Sequence, residues 1–357
     1  MPRQLIAWLL FAAIHTAGAQ QSGATLVGIV TAQEGGAPIP YADVTVDHSA
    51  AAGLTDARGM FRFGGLPPRR LLLRIRRLGY RSDTVTVALT AGKTDTVRIA
   101  LSRLALRLDA IAVSDKVCPD DGHVAADTGV VSILEQVHIN AERSAILARE
   151  FPFELEMQRT FSDDIRRGAN LTEVRSRRVL QVDTIVTSSG HTWRYAPGQL
   201  VVSTNGDSPV GAAEKMHVPQ LADFADDGFI ASHCFRYAGV ETLEGHEVAR
   251  VDFAPTDAFE KTDVKGSLYL DATSYEMRKS TLMIERPSPT DPNVLVLDVR
   301  VDTWFHDASG GISTIDRIAQ MITVRNTRTR GLVSNNATSE EQTTLAVRYL
   351  GRRPGKP

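Results

Sequence analysis

The chain has 357 residues, which at about 150 residues per domain suggests two domains, each with its own core. Hydrophobic residues make up 43 %, the ordinary share for a globular chain. Lys and Arg number 40 against 42 Asp and Glu, so there is no bulk positive field to recruit nucleic acid or an acidic membrane surface.

Arg3, the apolar run 5–14 (LIAWLLFAAI) and the small residues Ala17, Gly18 and Ala19 follow the order of a signal peptide cleaved before Gln20. The run has about half of the roughly 20 apolar residues a membrane span needs. No cysteine follows it to carry a lipid, and no later stretch is apolar enough to span. Residues 1–19 are therefore expected to be removed. The mature chain is expected to be soluble and exported: periplasmic, outer-membrane associated or extracellular.

Residues 20–113 read as one β-sandwich. Short alternating runs recur about every 10 residues, broken by turn chemistry. Ala42, Val44 and Val46 alternate with Asp43, Thr45 and Asp47. Thr55-Asp56-Ala57-Arg58-Gly59 is a turn in which Asp56 can bond the backbone and Gly59 can take a positive φ. Gly64 to Pro68 make a second turn, and 71–78, 83–89 and 94–101 each fit a strand. Gly79 is expected to permit a bend before Tyr80.

The order Gly28-x-Val30, Pro40-x-Ala42-x-Val44-x-Val46, Thr55-Asp56-x-x-Gly59-x-Phe61, Leu66-Pro67 and Gly79-Tyr80 resembles the carboxypeptidase regulatory-like domain. The resemblance implies a transthyretin-like β-sandwich. It departs at Arg69-Arg70-Leu71, where that family commonly has glycine and then tyrosine. Such domains precede zinc carboxypeptidases, outer-membrane TonB-dependent receptors and exported proteins of unknown role. The domain itself is a non-catalytic accessory, so the resemblance implies location and architecture and leaves activity open.

The basic run Arg69, Arg70, Arg74, Arg76, Arg77, Arg81 places Arg74 and Arg76 on the strand face opposite Leu71, Leu73 and Ile75. It reads as a solvated face, a protected edge, or a docking surface for an anionic glycan or partner.

Residues 114–129 read as a linker. A helix follows over about 128–149, its stripe given by Val130, Leu134, Val137, Ala141, Ala145 and Ala148, and Phe151-Pro152 ends it. Residues 130–350 are expected to form an antiparallel β-meander, a curved sheet packed with that helix. Strands fit 153–161, 179–187, 192–195, 200–203, 247–253, 264–270, 275–285, 294–306, 312–328 and 343–350, with 214–232 irregular or briefly helical. The tail 351–357 should fray. The fold class is thus mainly β.

Cys118 and Cys234 are the two cysteines. In an oxidising compartment an even count favours a Cys118–Cys234 disulfide. The stretch from Gly245 through Phe253-Ala254-Pro255 to Gly266-Ser267-Leu268-Tyr269-Leu270-Asp271, with Cys118-Pro119 and His233-Cys234-Phe235, is similar to exported bacterial proteins in which a regulatory-like domain precedes an uncharacterised β-rich domain. That group brings no known activity. By architecture alone, the curved sheet with a helix is also similar to periplasmic lipoprotein-carrier folds.

Catalytic, cofactor and metal residues are all expected to be none. None of the nine histidines has Glu at the third following position, so a zinc carboxypeptidase site has no ligands to build on. His246-Glu247 point to opposite faces of a strand. No Gly-x-Ser-x-Gly elbow, phosphate loop or dinucleotide fingerprint occurs. Cys234 beside His233 reads as a disulfide partner rather than a nucleophile, and Asp120-Asp121 and Asp226-Asp227 as solvated loop acids.

Trp304 falls on the polar face of its strand with Asp298, Arg300, Asp302 and His306. It lies either under the helix or on a ligand surface. Trp193 and Tyr195 share a face and admit the same two readings. Three functions follow: a non-enzymatic envelope protein whose β-rich part is a binding or assembly module; a carrier holding a lipid or other apolar ligand in the curved sheet; or a hydrolase with dispersed residues. The partners these imply are an envelope protein, a glycan or an apolar ligand.

Overall fold

The computed structural model describes residues 23–104, 117–118, 128–167, 173–186, 195–196, 201–203, 214–216, 219–256, 263–285, 294–307, 312–329 and 332–351. The expected signal peptide, most of the expected linker, Trp193, the acids at 120–121 and the tail beyond 351 lie outside them.

The first unit is a sandwich of two sheets. One sheet has the order β4(Met60–Leu66), β1(Ala24–Ala32), β7(Thr94–Leu101); the other β3(Ala52–Leu54), β2(Asp43–Val46), β5(Arg70–Arg76), β6(Asp83–Ala88). Period-2 alternation builds both. On β1 every second residue from Ala24 to Ala32 is buried, and β5 buries Leu71, Leu73 and Ile75 against exposed Arg70, Leu72 and Arg74. Asp56 Oδ1 accepts from Arg58 N at 2.9 Å and Met60 N at 2.8 Å, closing the turn at Gly59, whose φ is 70°. Thr55, fully enclosed, donates to Ile39 O at 2.7 Å and accepts from Ala42 N at 2.8 Å, tying the entry of β2 to the end of β3. Because β5 pairs with β2 and β6 on its two sides, Arg70, Arg74 and Arg76 of the arginine run lie on a central strand and protect no edge.

The second unit begins with α1(Thr128–Glu150), β8(Phe153–Arg167) and β9(Glu173–Val186). After β10(Val201–Ser203), β11(Glu214–Met216), α2(Leu221–Phe224) and α3(Asp227–Ser232), a meander runs through β12(His233–Leu243), β13(His246–Pro255), β14(Asp263–Asp271), β15(Met277–Glu285), β16(Val294–Asp307), β17(Ser313–Thr329) and β18(Leu332–Tyr349). β18 then pairs with β8, giving one nine-stranded antiparallel sheet in the order β12-β13-β14-β15-β16-β17-β18-β8-β9. Sequence reasoning passed over β12. A register shift between Tyr237 and Gly239, with Gly239 at φ 109°, breaks the alternation that identifies a strand.

The main core lies between α1, the two short helices and the inner sheet face. Ile133, Val137, Phe224, Phe229, Phe253, Leu268 and Leu270 fill it. The buried seam of α1 differs from the expected stripe: Ala145 is exposed, while Gln136, Asn140 and Arg143 are buried beside Ile133, Val137 and Leu147. The cause is a second neighbour on the helix, since the sandwich docks along it. Leu78 enters the core of the second unit, 4 % exposed. Gly79 N donates to Gln136 Oε1 at 2.7 Å, Ser82 bonds Glu135, and Arg76 pairs with Glu142 at 2.6 Å. Tyr275 OH donates to Leu104 O at 3.3 Å from the meander side. Tyr41 and Leu54 pack against a third cluster around Leu147, Phe151 and Phe153.

Candidate functional site

Three places gather chemistry: the outer sheet face at Trp304, the polar cluster at His233, and the junction of the two units at Arg143.

Trp304 does not lie under the helix. Its strand neighbours Val301, Thr303 and Phe305 are buried, with Val301 and Phe305 in the core that α1 shares, and Trp304 is on the opposite face. Pairing places Arg250, Tyr269, Lys279, Trp304 and Arg317 side by side in one row across β13 to β17. Lys279 Nζ is 4.4 Å and Arg317 Cζ 3.8 Å from the centroid of the indole, one from each flanking strand. Lys279 and Arg250 also approach the Tyr269 ring, at 5.9 and 6.0 Å. This is a cation–π ladder. A sugar or apolar ligand stacking on Trp304 would have to displace a cation.

The adjoining row, Arg236, Asp252, Ser267, Thr281 and Asp302, neutralises these cations. Asp252 takes Arg236 at 2.9 Å, Arg250 at 2.7 Å and Ser267 at 2.6 Å. Asp302 takes Lys279 at 3.1 Å, Arg300 at 2.9 Å and Thr281 at 2.6 Å. Burial pushes both carboxyls up, but these hydrogen bonds outweigh it and hold both below the usual carboxylate range.

Tyr195, read with Trp193 as lining a ligand surface or lying under the helix, is enclosed. It is 6 % exposed, and its ring packs edge-on against Phe229 at 4.9 Å. Its hydroxyl meets Asp263 Oδ2 at 2.5 Å and Ser232 Oγ at 3.0 Å. Burial and the Asp263 carboxylate push its phenol up. His233 joins the same cluster: Nδ1 is 3.1 Å from Ser232 Oγ, and Nε2 is 3.0 Å from Val264 O and 3.6 Å from Asp263 Oδ1.

A serine, a histidine and an aspartate thus converge, but not as a catalytic triad. Ser232 meets Nδ1, and Nε2 faces a backbone carbonyl. Ser232, His233 and Asp263 are all at most 2 % exposed. Burial lowers the His233 pKa, against the opposing pull of Asp263 and of the Phe229 and Val264 carbonyls, which lie 2.9 Å from Nδ1 and 3.0 Å from Nε2. The cluster ties α3 to β14. Nothing in the sequence flags Asp263, which opens a strand without a motif.

Cys234, the next residue, points to the other sheet face and is disulfide-bonded to Cys118, with Cα atoms 5.2 Å apart. The bond fastens the linker to β12, and His233 and Cys234 form no dyad.

At the junction, Arg143 is 3 % exposed and bonds Glu276 at 3.2 Å, while its Nε and Nη1, like both amide atoms of Asn140, find no hydrogen-bond partner among the described residues. Burial, with Arg143 nearby, lowers the Arg77 pKa to about 10. The crevice that Arg143 shares with Glu276, His306 and Ser313 has a volume of ≈ 10 Å³, room for about one water. These polar positions within a helical stripe were visible in the sequence and were passed over. Among the described residues no three His, Cys, Asp or Glu side chains converge as metal ligands, and no helix is long and apolar enough to cross a membrane.

Comparison with known proteins places the first unit. Residues 25–102 match the carboxypeptidase regulatory-like domain. No curated protein matches the chain. Among solved structures, a Vibrio parahaemolyticus domain described as an outer membrane lipoprotein-sorting protein is 14 % identical, covers 60 % of this chain and 94 % of its own, and has a TM-score of 0.26. A LolA superfamily protein from Nitrosomonas europaea is 10 % identical over 62 % of this chain and 94 % of its own, at 0.23. A membrane-associated Bacteroides fragilis protein of unknown function is 10 % identical over 92 % and 99 %, at 0.20. Scores this low bear on neither ligand nor partner.

Proposed function

We propose that this chain is an exported, non-enzymatic envelope protein in which the regulatory-like sandwich is an accessory and the nine-stranded sheet with α1 is a binding or assembly module. The observation that carries this reading is the filled interior. Among the described residues the space between helix and sheet is occupied by Ile133, Val137, Phe224, Phe229, Phe253 and Leu268, none more than 1 % exposed. The polar groups that gather there tie backbone segments together. A packed interior leaves the outer surfaces to do the binding, and a docked sandwich adds to them. The envelope placement rests on the signal-like residues 1–19 and on the disulfide, which persists in oxidising compartments.

Fractionation of the producing cell with intact-mass measurement tests the placement: a chain starting at Gln20 outside the cytoplasm is expected, and a cytoplasmic chain retaining Met1 would overturn it. Native mass spectrometry of the same material tests the module. The bare chain mass is expected; a stoichiometric lipid would replace this reading with that of a carrier.

A further inference from the structure

Where the sandwich docks along α1, a guanidinium is buried with most of its donors unmatched. Arg143 is 3 % exposed, and its Nη2 donates to Glu276 Oε1 at 3.2 Å. Its Nε carries one N–H and its Nη1 two, and neither atom finds a partner among the described residues, so three of its five N–H groups are unmet. Arg278 lines the same crevice; its Nη2 donates to Asp271 at 3.0 Å, and its Nε is likewise buried without a partner among the described residues. From the sandwich side, Arg77 stands close enough for the Arg143 charge to lower its pKa, behind the larger effect of burial. Glu276, Tyr80 and Asp307 pull it the other way. With histidine counted neutral, Arg77 and the crevice bring three cations against two carboxylates, Glu276 and Asp307. Asp271 does not line the crevice, and it also accepts from the backbone N–H groups of Thr273 and Ser274 at 3.0 and 2.9 Å.

We infer that this crevice binds one small monovalent anion, of the size of chloride, and that the ion fastens the sandwich to the second unit. Its volume of ≈ 10 Å³ holds a single water-sized particle. A halide fits such a space, whereas sulfate, phosphate and carboxylate are too large. The unmatched groups of the lining are guanidinium N–H donors, which have no acceptor atom. A water accepts at two lone pairs but must place two protons of its own. The acceptors around it already serve other donors: Glu276 takes Arg143, Ser313 O takes Ser144 Oγ at 3.5 Å, and His306 O takes Thr314 Oγ1 at 3.2 Å. A halide accepts from several donors at once and donates to none. Charge favours it as well. Arg77 and Arg143 repel each other in a buried place where charges are weakly screened, and an anion beside them offsets that repulsion. It also supplies the hydrogen bonds whose absence costs most when the buried donor is charged. The inference stands apart from the envelope reading, since it concerns how the two units are joined.

The test is titration of the purified full chain with sodium chloride, against sodium gluconate at matched ionic strength. The melting temperature is expected to rise with chloride and then saturate, as binding to the folded state requires, and to stay level in gluconate, whose anion is too large for the crevice. Chloride-35 magnetic resonance reads the same binding directly: the protein should broaden the line, and bromide should narrow it again by competition. A hydrogen bond to a charged group is worth about tenfold or more in affinity. Arg143→Met and Arg278→Gln should each weaken the chloride response by at least that factor. Arg300→Gln, on the outer sheet face, removes the same charge elsewhere and should respond as the parent does. Should Arg143→Met not fold, as judged by circular dichroism, the same titration of Arg278→Gln decides. An equal response to chloride and gluconate would mean a water or general screening, and it overturns the inference. So does full line broadening in either crevice variant that folds, or an equal loss in Arg300→Gln.

Discussion

The sandwich and the nine-stranded sheet are both antiparallel β in the main, yet they are held together at different distances along the chain. In the sandwich the deciding contacts are short. Asp56 bonds residues two and four positions on, and Thr55 reaches back 16 residues to Ile39. In the second unit β8 finds β18, with Phe153 opposite Tyr349. Cys118 is bonded 116 residues away, and β12 needs a bulge to keep register. A fold built on local turns can be read from them. A fold closed by its ends depends on packing and on covalent fastening.

The largest expected effect separates the two directly. The sandwich has no cysteine, so reducing Cys118–Cys234, or replacing Cys118 by Ser, should act on the second unit. Opening a loop of about this length removes up to about 4.7 kcal/mol in the chain-entropy model. Calorimetry with and without reductant should show the second transition falling while the first moves little. A common shift would mean that the units melt as one. Leu78→Ala acts at the seam and should cost about 2–5 kcal/mol, the range for a buried leucine. Because Leu78 belongs to the sandwich chain but packs in the core of the second unit, the loss should appear in both transitions, read by the same calorimetry.

A matched glycine pair compares the units at similar cost. At Gly59 an added Cβ would meet Val30 O at 2.4 Å, and at Gly266 it would meet Thr281 O at 1.8 Å. Overpacking on this scale costs about 1–3 kcal/mol, sometimes more. Gly59→Ala should lower the sandwich transition and Gly266→Ala the sheet transition; the reverse pattern would break the assignment of these glycines to their units.

Acid should also distinguish them. Asp252 and Asp302 have pKa values held below the unfolded value, so the stability they contribute is present above about pH 4 and is lost as pH falls through their folded values. In the sandwich Asp43 shifts the other way: burial raises it more than Arg76 lowers it. Urea melts at pH 5 and pH 3 should show the sheet weakening, with no such loss from Asp43.

Much of this architecture was readable, for identifiable reasons. Alternation predicted β1, β5 and β13 to β16 because one face is dry and the other wet. Asp56 and Gly59 predicted their turn because only a few residues make that geometry. The two cysteines predicted their bond because an even count favours pairing in the oxidising compartment that the signal-like residues 1–19 would imply. What escaped depends on neighbours absent from any local window. The buried Gln136, Asn140 and Arg143 make sense only once the sandwich lies along α1. Asp263 gains its role from Tyr195 and Ser232, which lie 68 and 31 positions away. Trp304 was placed on the correct strand face, but its sequence could not disclose which side of the sheet the helix would choose.

Trp304 also supplies the smallest expected effect. Its indole is flanked by Lys279 and Arg317, and each cation is itself paired, Lys279 with Asp302 and Arg317 with Glu244 at 3.4 Å. A cation–π contact at a partly exposed site contributes about 0.5–1 kcal/mol, so Trp304→Leu should cost about 1–2 kcal/mol with little change in fold. Part of that is lost packing, which a single substitution cannot separate. The double-mutant cycle with Lys279→Met does so, because the methionine keeps most of the stem and removes the charge. A coupling of about 0.5–1 kcal/mol from urea melts would establish the ladder as a stabilising feature of the outer face. A coupling of zero, with a full loss from Trp304→Leu alone, would show the ring to be held by packing. The cations would then be free to move aside, which would reopen the Trp304 face as a surface for a ligand.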